Sequence, residues 1–300
     1  MKILVTGATG FLGTALCARL AAAGHDLTAF GTAQCDLTRQ GSLSQFNGTT
    51  YDQIYHLAAW TQAGDFCLLH PGEQWILNQQ LNTNVLAWWQ SSQPQAKLIC
   101  IGTSCAYAPG SELEESSYML GVPIDSLYTY AMTKRMLYAG LLALHKQFQL
   151  SYLYAVPSTL YGPGYHTDGR QRHFIFDLIH KIMRGKEFGE PVILWGDGEQ
   201  KRELVYVEDF AEILVRLSGS VSNEIVNVGA GEEHSIRHFA ELICELVDYP
   251  AEKIQYDRTR YVGALSKCLS VRKVRALLGE YNLTDLREGL ANTIARLRDR

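Results

Sequence analysis

A doubly wound α/β fold, with a parallel sheet covered by helices on both faces, is the architecture this sequence predicts, and three observations predict it. Short apolar runs alternate with helical stretches through the first half of the chain. The runs KILVTG, DLTAF, DQIYHLAA, AKLICIGTS and LSYLYAVP carry the signature of strands buried on both faces. A glycine-spaced loop joins the first run to the first helical stretch, at the strand end where such sheets bind ligands.

Taken in order, KILVTG is a β-rich run that glycines interrupt at once, so it reads as a first strand and not as a signal peptide. FLGTALCARLAAAGH follows with apolar residues at helical spacing and Gly24 as its stop. The next four runs are strands with helical stretches between them. After about residue 162 the pattern turns irregular in YGPGYHTDGRQRH, and a helical piece, FIFDLIHKIMRG, succeeds it. PVILWGDG and ELVYVEDFAEILVRL return to alternation, NEIVNVGAG is another strand ending in glycines, and the tail from SIRHFAELICELV is helical or mixed. No internal repeat or low-complexity linker divides the chain. The expected organisation is a larger domain over 1–161 that also receives 191–229, interleaved with a smaller lobe within 162–300, mainly 162–190 and 230–300.

Three hundred residues with 47% hydrophobic content can bury a large core. A formal charge of −4 gives no bulk attraction to nucleic acid or anionic lipid. No apolar run approaches the ~18–20 residues that cross a bilayer. Seven cysteines, an odd number without a C-x-x-C pair, argue against a disulfide framework or structural zinc site. Reduced thiols in a cytoplasmic protein without a metal are the expectation.

The glycines Gly7, Gly10 and Gly13 permit a tight turn, close approach of backbone to a pyrophosphate, and packing of helix on strand. Free N–H groups at the helix N-terminus then face the anion. This placement, directly after a strand and before a helix, is the dinucleotide-binding pattern of a Rossmann fold. The second strand should end near the adenosine ribose, where an acidic residue favours NAD and an arginine NADP. Phe30-Gly31-Thr32 offers neither. The missing carboxylate removes a repulsion against a 2′-phosphate, which leans the choice toward NADP(H) without closing it to NAD(H). Asp36 is placed either to hold the adenine amino group or to cap the following turn.

Tyr130 and Lys134, four apart at the start of a helical run, share a face. A phenol titrates near ~10 and is a poor acid–base group at neutral pH, so an adjacent ammonium that lowers its pKa would suit it to proton exchange with a carbonyl oxygen. Tyr128 is the competing phenol, but its partner four residues on is Met132. The stretch GTSCAY, at the end of AKLICI, adds a hydroxyl, Thr103, and a thiol, Cys105. Taken by themselves these are small residues at a strand-to-loop transition; beside the glycine loop and the Tyr–Lys pair they face a substrate.

With these motifs the chain resembles the extended short-chain dehydrogenase/reductase superfamily of nucleotide-sugar epimerases, dehydratases and reductases. The resemblance covers nearly the whole chain. It rests on TGATGFLG, HLAA at 56–59, the block of Asn78, Thr83 and Asn84, T-S-C-A-Y at 103–107 and Y-x-x-x-K at 130–134. It continues through P-S-T-L-Y-G-P at 157–163, W-G-D-G at 195–198, R-E-L-V-Y-V-E-D at 202–209 and N-V-G-A-G at 227–231. It implies cofactor contacts from Gly7, Thr9, Gly10, Phe11, Leu12, Gly13, Asp36, Leu57, Ala58, Ala59, Tyr130, Lys134, Pro157, Thr159 and Leu160. It also implies a catalytic hydroxyl at Thr103. Two departures, Thr159 where the family usually has Asn and A-Y-A where it has V-Y-G, touch the nicotinamide end.

Within the superfamily the chain looks most like the GDP-L-fucose synthases, with the GDP-mannose 3,5-epimerases next. Both groups place a cysteine two residues after the catalytic hydroxyl and a second acid–base residue after the Y-G-P segment. His173 matches the latter, with His166 as a rival. The implied chemistry is inversion beside a 4-keto group, with Cys105 and His173 on opposite ring faces, followed by hydride reduction of that ketone. Without Cys105 in that role the same site would be a simple 4-ketoreductase; with bound, recycled NAD it would be a redox-neutral epimerase. Arg202 is implied at the substrate diphosphate, Trp195 near base or sugar, and Arg172, like Arg170, near the diphosphate. Trp88 and Trp89 read as core or dimer surface. In relatives the helices around 78–91 and 130–147 form a two-fold interface, which implies a homodimer.

Overall fold

The computed structural model describes residues 1–64, 66–259 and 264–298. β1 (Lys2–Thr6) leads through the glycine loop into α1 (Phe11–Ala22), and β2 (Asp26–Phe30) returns parallel to β1 with Lys2 opposite Asp26. β3 (Gln53–His56), the short α2 (Phe66–Leu69), α3 (Pro71–Ser92), β4 (Lys97–Ile101), α4 (Tyr128–Phe148) and β5 (Tyr152–Pro157) continue the alternation. β6 (Thr159–Tyr161) and α5 (Phe174–Phe188) depart from it, followed by β7 (Ile193–Trp195), β8 (Lys201–Arg202), β9 (Leu204–Tyr206) and α6 (Val207–Ser220). β10 (Glu224–Val228), β11 (His234–Ser235), α7 (Ile236–Val247), β12 (Gln255–Asp257), α8 (Arg272–Leu278) and α9 (Leu286–Arg298) complete the described chain.

Among the described residues, six strands form one parallel sheet in the order β2-β1-β3-β4-β5-β10. Parallel neighbours need crossovers, and the helices that make them cover both faces. α3 and α4 pack together on one face over Leu4, Ile54, Leu98 and Tyr154, while α1 and α6 cover Ile3, Val5, Ile99 and Val226 on the other. Alternate residues of one strand therefore feed two cores, which is why the runs read as continuously apolar. Trp88 and Trp89 lie in the first core, their indole N–H groups donating to Asn47 Oδ1 at 2.7 Å and the Ala96 carbonyl at 2.8 Å. Burying each ring adds on the order of 2–3 kcal/mol.

A third apolar cluster, from α5, α7, α9 and the short strands, makes the smaller lobe. Here the expectation for 191–229 needs correction. α6 and β10 do join the layers of the large sheet, but β7 pairs with β12, and Val192 and Leu194 are buried in the third cluster. The apolar run PVILW could not reveal which sheet it would join, because pairing partners are distant in sequence. No described helix is long and apolar enough to cross a membrane.

Strand order reverses between β1 and β3, and their carboxyl ends open the crevice where doubly wound sheets bind ligands. The glycine loop enters this crevice. Gly7 has φ +67°, and a Cβ there would lie 2.7 Å from the Ala58 nitrogen. A Cβ on Gly13 would overlap the Gly7 carbonyl and sit 2.8 Å from Ala8 Cα. Because backbone cannot move aside as a side chain can, Gly13→Ala should cost about 1–3 kcal/mol of stability and weaken dinucleotide binding. Urea denaturation and a cofactor titration check both; unchanged midpoints in the two measurements would refute this account of the loop.

Candidate active site

The crevice is built first from β1 and β3. Thr6 Oγ1 accepts from the Ala58 N–H at 3.2 Å and lies 2.9 Å from His56 Nδ1; His56 Nε2 is 3.1 Å from Asn82 Oδ1. Burial pushes the His56 pKa down to about 4, so the ring is neutral. A proton on Nε2, donated to Asn82, then satisfies the whole chain of groups. Asn78 ties the same loop further on, accepting from the Trp60 N–H at 3.0 Å and donating to its carbonyl at 2.9 Å. Of the remaining members of that block, Thr83 is exposed and Asn84 donates to the Leu37 carbonyl instead. Leu57, Ala58 and Ala59 are thereby held against Gly7.

Gly10 precedes α1 without a side-chain cap, so the first-turn N–H groups suit an anion. Together with the space that only glycine leaves at 7 and 13, this fits a dinucleotide pyrophosphate. Gly31 at the end of β2 lies under Thr9, whose Oγ1 would be 2.5 Å from a Cβ at 31. Phe30 is buried, stacked on Phe46 at 4.8 Å. Asp36 caps its own turn: Oδ1 accepts from the Thr38 N–H at 3.0 Å and hydroxyl at 2.7 Å, and Arg39 lies 3.2 Å from Oδ2. Leu12 packs into the core beneath the sheet. Phe11 meets Tyr165 and Phe176 edge-on at 5.3 and 5.8 Å, joining the loop to the smaller lobe.

The second wall comes from β4, α4 and β5. After Ile101 the chain passes through Gly102, whose N–H donates to the Ala155 carbonyl at 2.8 Å and where a Cβ would meet the Tyr154 ring at 2.7 Å. Thr103 then caps a single 3₁₀ turn, Ser104–Ala106, accepting from the Cys105 N–H at 3.2 Å. α4 faces this turn. Lys134 Nζ donates to the Ile101 carbonyl at 2.8 Å, and Arg135 donates to the carbonyls of Ala106, Leu120 and Gly121 at 2.6–2.7 Å. Pro157, at the end of β5, and Thr159 and Leu160, in β6, are partly exposed at the neighbouring strand end.

Electrostatics correct one expectation here. Tyr130 is not lowered; burial raises it well above the ordinary phenol value, negative charge on Cys105 adds to the rise, and a hydrogen bond from Thr103 only partly opposes it. Lys134 turns its ammonium to the Ile101 carbonyl, and burial pulls its own pKa down to about 8. The protein alone thus presents a protonated phenol.

Cys105 behaves oppositely. Burial acts to raise it, but the charge and hydrogen bond of Lys267, a hydrogen bond with Thr103 and the charge of Arg202 together bring it below the ordinary thiol value. Lys267 Nζ donates to Sγ at 3.0 Å. Nothing in the sequence singled out Lys267, which stands in S-K-C-L-S without a motif around it. It arrives on a strap, 264–270, that is pinned along its length. Arg202 Nη1 donates to the Ala264 carbonyl at 2.8 Å, and the Lys201 N–H donates to the Leu265 carbonyl at 2.7 Å. Glu233 accepts from the Ser266 hydroxyl at 2.8 and 2.9 Å and from the Lys267 N–H at 3.0 Å. Glu203, buried, accepts from the Leu269 N–H at 2.9 Å and the Gly231 N–H at 2.7 Å.

His173 occupies the N-cap position of α5, its N–H donating to the Tyr165 hydroxyl at 3.2 Å. His173 is exposed, and surrounding protein, then the charges of His166 and Lys267, hold its pKa below the usual histidine range. His166 packs at a tilt against Tyr165, ring centres 4.1 Å apart, with Nδ1 3.4 Å from Asp168. Arg170 pairs with Asp168 at 2.8 Å, Arg172 is partly buried beside His173, and Trp195 is 56% exposed at the end of β7. Thr103, Cys105, Tyr130 and Lys134 thus meet at one strand end with Lys267, and His173 stands within electrostatic reach of that lysine.

The chain is similar to known proteins along nearly its whole length. A sequence profile of the NAD dependent epimerase/dehydratase family matches residues 3–229. GDP-L-fucose synthase 1 of Arabidopsis thaliana is 30% identical over 97% of this chain and 91% of its own length. The GDP-L-colitose synthase of Yersinia pseudotuberculosis is 27% identical over 98% of this chain and 96% of its own. A GDP-L-fucose synthetase from Naegleria fowleri, solved with NADP bound, superposes with a TM-score of 0.86 at 21% identity, covering 99% of this chain and 94% of that one.

Glu203 yields a stability prediction. Burial raises its pKa to about 7, against the pull of its backbone hydrogen bonds. A carboxyl raised on folding contributes stability that is present below its unfolded value, near ~4.3, and is lost as pH climbs through the folded one. Relative to Glu203→Gln, which cannot ionise, the parent should lose about 2–3 kcal/mol between pH 5 and pH 8. Urea denaturation of both proteins at the two pH values reads this directly; parallel curves would contradict it.

Proposed function

Since the chain belongs to the NAD dependent epimerase/dehydratase family, we propose that it is an NADPH-dependent 4-keto nucleotide-sugar epimerase–reductase of the GDP-L-fucose synthase kind. The observation that carries this reading is the thiol of Cys105 held against Lys267 beside Thr103 and Tyr130, where a simple reductase needs only the hydroxyls. The dinucleotide, cradled by Gly7, Thr9, Gly10, Phe11, Leu12 and Gly13 with Leu57 to Ala59, Pro157, Thr159 and Leu160 along its length, supplies hydride chemistry when bound. The preference for NADPH over NADH rests on the lack of a carboxylate at 30–32.

Thr103 and Tyr130 hold the keto oxygen of the sugar by hydrogen bonds, which strengthen as negative charge develops there. Cys105, as thiolate, takes the proton from a carbon next to the ketone, and the electron pair of the C–H bond moves into the enolate. His173, acting from its imidazolium form, returns a proton to that carbon from the opposite ring face, which inverts the centre and leaves a neutral imidazole. Diphosphate charge nearby would raise the pKa of His173, opposing its depression in the free protein. Tyr130, kept protonated by burial, gives its proton to the alkoxide oxygen that reduction creates. Lys134 holds α4 in place; Arg202, Arg172 and Trp195 are the proposed contacts for the diphosphate and base. Seven free thiols and the NADPH requirement support a cytosolic setting.

Incubation with NADPH and GDP-4-keto-6-deoxymannose in heavy water tests the proposal. The expected result is stoichiometric NADPH consumption with deuterium at C3 and C5. Tyr130→Phe should slow turnover by about 100-fold or more, and Cys105→Ser should remove the deuterium while leaving NADPH binding intact. Reduction without deuterium would make it a simple ketoreductase, and epimerised product without NADPH consumption a redox-neutral epimerase.

The same reading makes the protein a homodimer. α3 and α4 expose Ile76, Thr83, Ala87, Met136, Leu142 and Ala143, a largely apolar surface. Met136→Glu should convert the dimer to monomer in light scattering at micromolar protein; a monomeric parent would end this part of the proposal.

A further inference from the structure

A buried thiol is a poor base unless something holds its negative charge. Every other cysteine with a resolved shift, Cys17, Cys67, Cys100, Cys244 and Cys268, is pushed up, in each case chiefly by burial. Cys105 is the exception, and the groups that face it show why. Cys67 from α2, Tyr118, and Tyr130 from α4 would each repel a thiolate if ionised. Thr103 offers a hydrogen bond from the same loop. Arg202 acts from a distance, its Nη1 donating to the carbonyls of Lys201 and Ala264. Lys267 touches the sulfur, and its charge also reaches His173.

We propose that Lys267 is a catalytic residue whose ammonium, carried to Cys105 by the pinned 264–270 strap, holds the thiolate that takes the proton from the sugar carbon. This rests on the epimerase–reductase reading above. The balance is simple: the sulfur gains the proton, the carbon's electron pair enters the enolate, and Lys267 stays an ammonium throughout. After burial and the charge of His166, the same charge also disfavours imidazolium at His173, so one cation bears on both proton-exchanging groups. Glu233 is a positioning residue, since it accepts both from the Ser266 hydroxyl and from the backbone N–H of Lys267 itself.

Alkylation of the full-length protein by iodoacetamide from pH 5.5 to 9.5, with peptide mass spectrometry at each cysteine, measures the Cys105 titration without turnover. In the parent, Cys105 should react with a midpoint below that of an ordinary thiol. Lys267→Met should move the midpoint up by about one unit, roughly tenfold less thiolate at pH 7. Lys267→Arg should restore most of the shift, and Glu233→Gln should give a smaller upward move. Melting curves and NADPH titration report whether each variant folds, and Lys267→Gln replaces the methionine variant if that one does not. A folded Lys267→Met or Lys267→Gln protein with an unmoved Cys105 midpoint overturns the proposal. Failure of the epimerase reading looks different: Cys105→Ser would keep full deuterium exchange while the alkylation profiles still shift.

Discussion

The site depends on one buried ammonium. Lys134 Nζ donates to the carbonyl of Ile101, the last residue of β4, and so ties α4 to the strand end from which Thr103 and Cys105 emerge. Hydrogen bonds to charged groups contribute about 1.5–3 kcal/mol, and a buried charge left unpaired costs more than that. The contact therefore sets the register between helix and loop rather than merely accompanying it. Arg135, next in the helix, does the same for the backbone of 106 and 120–121, and the Tyr154 hydroxyl returns from β5 to the Lys134 carbonyl. Tyr130, one turn before Lys134, has its distance to Thr103 determined by these bonds.

Whatever was local in this architecture was legible in the sequence. Glycines at 7, 10 and 13 announce a tight loop, closed to a Cβ at 7 and 13, and Tyr130 and Lys134 announce a shared helix face, because both signals are complete within seven residues or fewer. The central strands were legible for a related reason: burial on both faces writes apolar runs that need no knowledge of partners. Asp36 shows the boundary of such reading. Both alternatives, adenine contact and turn cap, follow from the sequence, and only the position of Thr38 relative to the carboxylate shows the cap being made.

What could not be read was long-range. Lys267 meets Cys105 across a separation of 162 residues, and a lone lysine among serines, cysteine and leucine carries no spacing to betray it. Glu203 and Glu233 looked like ordinary members of a motif and a loop; their role in pinning the strap appears only when β9 and the 229–234 loop are brought beside 264–270. β7 was misjudged because PVILW suits either sheet equally. The sign of the Tyr130 shift was missed for a subtler reason. Spacing along a helix says that a lysine is near, whereas the direction in which its ammonium points depends on a carbonyl from another strand.

That difference in direction also explains why two lysines in one site act so differently. Burial alone pushes a phenol and a thiol up, and a lysine and a histidine down, so that each tends toward its neutral form. Tyr130, Lys134 and His173 all follow this rule. Lys134 does not reverse it for Tyr130, because its charge is directed at Ile101. Lys267 does reverse it for Cys105, because its charge lies in contact with the sulfur and bonds from Arg202, Lys201, Glu233 and Glu203 keep the strap from withdrawing it. The phenol of Tyr130 is thus pushed up and the thiol of Cys105 drawn down at one strand end. Proton removal from carbon and proton delivery to oxygen require opposite states of neighbouring groups, and burial of the phenol with a cation against the thiol moves the two in opposite directions.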